Sequence, residues 1–281
     1  MALLSLLLFI PSALGNPTAA FPQYEEPHMA SPNSKLPKGS VSDKPYANLL
    51  KKYVQEGKSG EPNRVDYAGL SNTPEDRRAL EAYVQALADS TPSTLPKDAQ
   101  FAFWANLYNA LTIKVVLDYY PVSSIRKINI SPGLFSKGPW GKSLVRVEGR
   151  DVSLDDIEHK ILRPGWKDPR VHYALNCASY GCPSLPRKPF AAKTLEAQLE
   201  AAARDFINSP RGARIEEGNL VLSNIYDWYG RDFIQAETAS SDVNVISHLQ
   251  YYADKKLAAA LKGRTKINSY EYNWALNDVI D

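Results

Sequence analysis

Apolar residues recur at three- and four-residue intervals along much of the chain, and this spacing predicts a series of helices. Pro45 opens a short amphipathic helix carrying Leu49, Leu50, Tyr53 and Val54, stopped at Gly57. Thr73 and Pro74 start a second helix with Leu80, Tyr83, Val84 and Leu87 on one face. A third runs from Asp98 to about Tyr120, where Pro121 stops it. Its stripe of Phe101, Trp104, Tyr108, Thr112 and Val115 is nearly closed by Phe103, Leu107, Leu111 and Val116, the pattern of a central, buried helix. Further helices are expected from Ser153 to Arg163, with Ser153 and Asp156 as a capping box, from Thr194 to about Asn208, and from Ser241 to Gly263.

Alternation marks the strands. Leu144–Val147 and Arg150–Ser153 read as a hairpin around Glu148 and Gly149, and Arg214–Leu222 as another around Gly218 and Asn219. Val171–Asn176 reads as a strand, and Ile267–Trp274 as a closing strand. The expected fold class is α+β: one domain over 45–281, with a buried central helix and several amphipathic helices around a mostly antiparallel sheet.

The beginning of the chain has another texture. Met1–Gly15 has a short apolar run with small residues at the cleavage offsets, the pattern of a signal peptide, so an exported (periplasmic or secreted) protein is expected. Residues 16–44, with prolines at 17, 22, 27, 32 and 37, read as a disordered tether. A net charge of only +2, with acids and bases interleaved, argues against a nucleic-acid partner. No later stretch is apolar enough for stable membrane insertion. No cofactor motif is present, and the spacing of His172, Cys177 and Cys182 does not favour a metal.

The chemistry-bearing residues concentrate between His172 and Cys182. Cys177 and Cys182 are five apart, a disulfide candidate in an oxidising compartment. If Cys177 is free it is a candidate nucleophile, provided a base or a positive field makes the thiolate. On a strand, His172 and Asn176 would share the face opposite Cys177, forming a polar binding pair. His159, with Glu158 or Asp155 to orient it, is the other candidate base. Asn106 and Asn109 lie on one face of the central helix, either pinning neighbouring loops or presenting amides to a ligand. Asp227, in the aromatic run IYDWYGRDF, is a further candidate binding group.

Five ordered blocks carry a family resemblance: FAFWANLYNALTIKVVLDYYPVSSI, SLDDIEHKILRP, DPRVHYALNCASYGCPSL, LSNIYDWYGRDF and YEYNWALN. From about Val65 to Asn277 the chain resembles the domain-of-unknown-function 547 family. The family's motifs fall on Asn106, Tyr108, Asn109, Glu158, His159, Arg163, Asp168, Arg170, His172, Asn176, Cys177, Cys182, Asp227 and Trp228. The resemblance implies a fold without a settled activity, and it raises the weight of the Glu158–His159 pair. The domain is also similar to papain-like and transglutaminase-like thiol enzymes, although their nucleophile begins the helix that here carries Asn106 and Asn109. Two functions are therefore expected as alternatives, with a redox protein that cycles the Cys177–Cys182 pair as a third. One is a thiol-dependent hydrolase or acyl transferase on amide or peptide-like bonds, with Cys177 as nucleophile, His159 as base and Glu158 orienting it. The other is a non-catalytic domain that binds a small-molecule or peptide-like ligand, with a structural Cys177–Cys182 disulfide.

Overall fold

The structure, a computed structural model, describes residues 41–58, 60–133, 137–234 and 239–279. The expected signal peptide, Met1–Gly15, and residues 16–40 of the expected tether lie outside the described residues. Helix α1 (Lys44–Tyr53) buries Tyr46, Leu49, Leu50 and Tyr53 and gives way to strand β1 (Val54–Gln55) rather than continuing toward Gly57. β1 pairs antiparallel with β2 (Arg64–Val65). The short helix α2 (Tyr67–Ser71), which had no periodic signal, is capped by the Asp66 side chain accepting from the Gly69 amide. Helix α3 (Pro74–Ala88) follows, then α4 (Lys97–Tyr119).

α4 is the central helix the pattern predicts. Nearly every residue from Phe101 to Leu117 is buried, with α2, α3 and the turn at Asp156–Leu162 packed around it. Burial all round means that its polar residues must find partners inside the protein. Asn106 exchanges two 2.9 Å hydrogen bonds with the backbone of Phe190. Asn109 donates to the Ala174 carbonyl at 3.0 Å and accepts from the Asn176 amide at 2.8 Å. The two amides therefore fix, from the helix, the loops that carry residues 174–190.

The β3–β4 hairpin (Val145–Val147 and Arg150–Val152) turns at Glu148 and Gly149, both at positive φ. The capping box at Ser153 and Asp156 also forms, with three mutual hydrogen bonds of 2.6 to 3.1 Å. The helix it opens is a wide π turn over Asp156–Leu162. Widening places Ile157 and Leu162, five apart, both fully buried on the inner face, and leaves Ile161 only partly covered. It also turns Glu158 inward, to 9% exposure. Pro164 does not end the helix; it starts α5 (Arg163–Trp166), which stops at Lys167 in the left-handed region.

The strand expected at Val171–Asn176 is instead a helical turn, α6 (Val171–Ala174). The Asp168 side chain accepts the Arg170 amide at 2.9 Å, and Pro169 presets the turn, so a local side-chain turn overrides a short apolar run that fits either element.

Beyond it, α7 (Leu195–Ile207) and the hairpin β5–β6 (Ala213–Glu216 and Asn219–Ser223) lead to the one-turn helix α8 (Ile225–Trp228). The long helix expected from Ser241 is two, α9 (Ser241–Tyr252) and α10 (Lys255–Leu261). Asn208 breaks it, donating to the Tyr252 carbonyl and accepting from the Asp254 amide, and Asp254 then caps α10. Strand β7 (Ser269–Glu271) adds parallel to β6. Among the described residues the sheets are small, three antiparallel pairs and one parallel pair, and the fold is α+β. Side chains from α7, α9, β6 and α10 form a second apolar cluster beside the α4-centred core. Among the described residues no helix is long and apolar enough to cross a membrane.

Candidate functional site

A cleft of about 500 Å³ opens where the π turn, the α6–Cys182 segment, the segment after β6 and the segment after β7 meet. Its floor is polar. Glu158 lies with one carboxylate oxygen 3.8 Å from Nδ1 of His172 and 3.9 Å from Nδ1 of His159. Its other oxygen accepts from the Tyr108 hydroxyl, contributed by α4, at 3.4 Å. Burial, with Glu158 adding to it, raises both Tyr108 and Tyr229 well above an ordinary phenol, so both stay protonated donors.

His172 is held from behind. Its Nε2 is 2.7 Å from Oδ2 of Asp232, and its ring stacks on Tyr229 at 4.2 Å between centroids. Arg163 grips the same carboxylate with two bonds, Nε at 2.6 Å and a terminal nitrogen at 3.1 Å. Burial opposes the charge on Asp232, but the His172 and Arg163 hydrogen bonds outweigh it and hold this carboxyl well below the usual range. An ionised Asp232 accepts only, so Nε2 of His172 carries the proton and Nδ1 faces Glu158.

His159 follows a similar logic on the exposed rim. A guanidinium cannot accept, so the 3.0 Å contact from Arg163 makes Nδ1 of His159 the acceptor. Its Nε2 then points to Asp155, 3.7 Å away. Burial raises the Asp155 carboxyl above its ordinary value, against the pull of His159.

Cys177 and Cys182 form a disulfide on the cleft wall. Cys177 is partly exposed there, and Cys182 is 3% exposed behind it. The Tyr272 hydroxyl touches both sulfurs, at 3.1 and 3.2 Å. Asn176 braces this loop, donating to the Pro183 carbonyl at 2.8 Å and accepting from the Ala178 amide at 2.9 Å. Residues 180 and 181 hydrogen-bond to the carbonyls of Ala275 and Asn273. A side chain at Gly181 would meet the Asn273 backbone at 2.8 Å, so this close approach requires glycine.

The upper walls are aromatic: Trp140, Trp228, Trp274, Tyr229 and Tyr272. Trp228, Tyr272 and Trp274 touch one another at 4.6 to 5.6 Å between centroids, yet Trp228 remains 45% exposed.

The cleft therefore brings together five of the nine singled-out residues, Glu158, His159, His172, Cys177 and Cys182. The turn of α6 swings His172 onto the same side as Cys177, which strand geometry would forbid. Asn106, Asn109 and Asn176 sit behind the lining and hold its loops. Asp227 is exposed outside the lining, while its neighbour Trp228 is a wall. The polar contacts of His159 include Asp155, Glu158 and Arg163, its ring meets Tyr229, and among the described residues no hydrogen bond joins it to Cys177. Asp232, Trp140, Tyr272 and Trp274 escaped sequence reasoning, although the aromatic density of IYDWYGRDF and YEYNW signalled that these segments mattered. Among the described residues no cluster of three or more metal-ligating side chains occurs.

No curated protein and no solved structure matches the chain. The two C-terminal blocks, which supply Asp232, Trp228 and Tyr272, lie beyond the region matched by a family model. That region, residues 92–207, carries α4, the Glu158–His159 turn and the cysteine loop, and it matches the model of the family described as protein of unknown function, DUF547.

Proposed function

We propose that the cleft binds a small polar or peptide-like ligand, with an apolar or ring-shaped portion against the tryptophan walls and a hydrogen-bonding group on Glu158 and His172. The observation that carries this reading is the Trp228–Tyr272–Trp274 cluster, with Trp228 exposed and the other two rings half-buried, lining the cleft together with the polar Glu158 and His172. An aromatic face left open to solvent contributes little to folding, whereas it gains contact area and sheds water when a ligand covers it. Export, as the N-terminal pattern suggests, would supply the oxidising compartment in which a disulfide persists.

The test is saturation-transfer NMR with capped tripeptide amides as probes, on wild type, Trp228→Ala and Glu158→Gln. Transfer to the wild type that drops in both variants is expected; equal transfer in all three overturns the reading.

A second reading rests on Cys177 sharing the cleft with two histidines and Glu158. Reduced, Cys177 would attack an amide or ester carbonyl, and the histidine–glutamate cluster would move the proton. This thiol-dependent hydrolase or acyl transferase should turn over a fluorogenic peptide amide only after reduction. Turnover retained by folded Cys177→Ser protein sinks it.

A further inference from the structure

The two sulfurs of the disulfide differ in their surroundings. Cys177 is open to the cleft, and Cys182 is buried. The Cys182 sulfur accepts the Cys177 backbone N–H at 2.9 Å, and the Tyr272 hydroxyl reaches both sulfurs, 3.1 Å from Cys177 and 3.2 Å from Cys182. Burial raises the Tyr272 phenol, so it remains a donor. Arg211, whose side chain is 5% exposed, donates to the Cys182 carbonyl oxygen and lies 3.7 Å from the Asp205 carboxylate, so its charge beside this residue is partly balanced. The Cys177 N–H already points at the Cys182 sulfur, and once the bond breaks the Tyr272 hydroxyl can turn to the same atom; two donors stabilise a thiolate on Cys182 and make it a good leaving group.

The bond is also redundant as a brace. Its five-residue span closes a short loop, for which entropic stabilisation is small. That loop is already tied to Asn109, to Asn176 and to the backbone at 273–277.

We propose that the Cys177–Cys182 pair is redox-active, and that it oxidises a dithiol ligand entering the cleft, with Cys177 as the attacked sulfur and Cys182 as the leaving sulfur. A ligand thiolate bonds to Cys177 Sγ, the Cys177–Cys182 bond breaks, and its electron pair leaves on Cys182. The ligand's second thiolate then attacks the ligand sulfur of the mixed disulfide and releases Cys177 as thiolate. The ligand leaves as a disulfide, having given two electrons and two protons to the protein, which ends as the dithiol. The reductant is the ligand dithiol itself. The inference deepens the binding reading, since the cleft is where the ligand meets Cys177.

The oxidised protein is incubated under native conditions with excess reduced glutathione, a monothiol that reports the first exchange. The reaction is quenched with acid, alkylated and read by mass spectrometry. Cys177 and Cys182 are expected to exchange, and Cys182→Ser should accumulate glutathione on Cys177 when treated with oxidised glutathione. Tyr272→Phe should slow exchange about tenfold, the loss expected of one hydrogen bond to the leaving sulfur. A pair that stays oxidised until guanidinium unfolds the protein overturns the proposal, as does a Tyr272→Phe rate equal to wild type. If Cys182→Ser does not fold, the wild-type and Tyr272→Phe rates decide alone. Glutathione needs no recognition by the tryptophan walls. Exchange without peptide binding therefore defeats the binding reading alone, and peptide binding without exchange defeats the redox proposal alone.

Discussion

Phe233 stands between two buried imidazoles in opposite electrical situations. His172 lies 5.7 Å from its ring and His248 4.9 Å from it, and each is no more than 4% exposed. His172 has a carboxylate on each side, Asp232 and Glu158, and it opens on the cleft. His248 sits in the second apolar cluster among Tyr173, Tyr226 and Tyr252. Its Nε2 meets the Tyr173 hydroxyl at 2.8 Å, while Nδ1 has no hydrogen-bond partner among the described residues. Burial pushes His248 down to about 4. A protein can bury an imidazole by surrounding it with countercharge or by keeping it neutral. The first arrangement can relay a proton to the cleft, whereas the second is a point of acid weakness.

The largest way to break this contrast is Asp232→Ala, which strands Arg163 and His172 without their shared carboxylate. A stability loss of about 3 kcal/mol is expected from urea unfolding at neutral pH. A value within about 0.5 kcal/mol of wild type would mean that water replaces the carboxylate.

Acid should reveal the two histidine environments in sequence. The folded-state pKa of His248 is depressed, so the stability linked to it is complete above the unfolded value and is lost as pH falls from about 6.5 to about 4. The loss amounts to about 2–3 kcal/mol, and His248→Phe should abolish it. Asp232 is also depressed, and its contribution persists above the unfolded carboxylate value, about 3.9, and is lost below it. Unfolding free energy measured against pH should therefore fall in two separate windows, of which His248→Phe removes only the upper.

A smaller effect is expected from Tyr173→Phe, which takes the hydroxyl from Nε2 of His248. It should cost about 1–2 kcal/mol at pH 7, and much less in a His248→Phe background, a coupling that a double-mutant cycle measures. The smallest belongs to Trp228→Ala. Its side chain is 45% exposed, and a stability change of under about 0.5 kcal/mol is expected even though peptide transfer is lost.

The difference between the two histidines was only partly visible in the sequence. Periodicity located α3, α4, α7 and both hairpins, because their buried faces are made by residues a few positions apart. It missed α6 because Val171–Ala174 is a short apolar run whose conformation is decided by the Asp168 side-chain turn. It missed the break at Ala253 because the interrupting groups belong to Asn208, remote in the chain. The site shows the same division. The Cys177, His172 and Glu158 blocks were legible as chemistry, since such residues are rare in apolar surroundings. The partnership of His172 with Asp232 spans 60 positions and left no local spacing to read.

The pairing of residues 180 and 181 with the backbone of Asn273 and Ala275, and of Val65 with Asn277, bears on biosynthesis. A ribosome delivers the cysteine loop roughly a hundred residues before the segment that covers it, and Tyr272 arrives with that segment. Until then Cys177 and Cys182 are accessible to oxidants and to foreign thiols alike. Chains released short of about residue 278 should carry the two cysteines in mixed redox states, while longer chains sequester Cys182 beneath the newly arrived tyrosine.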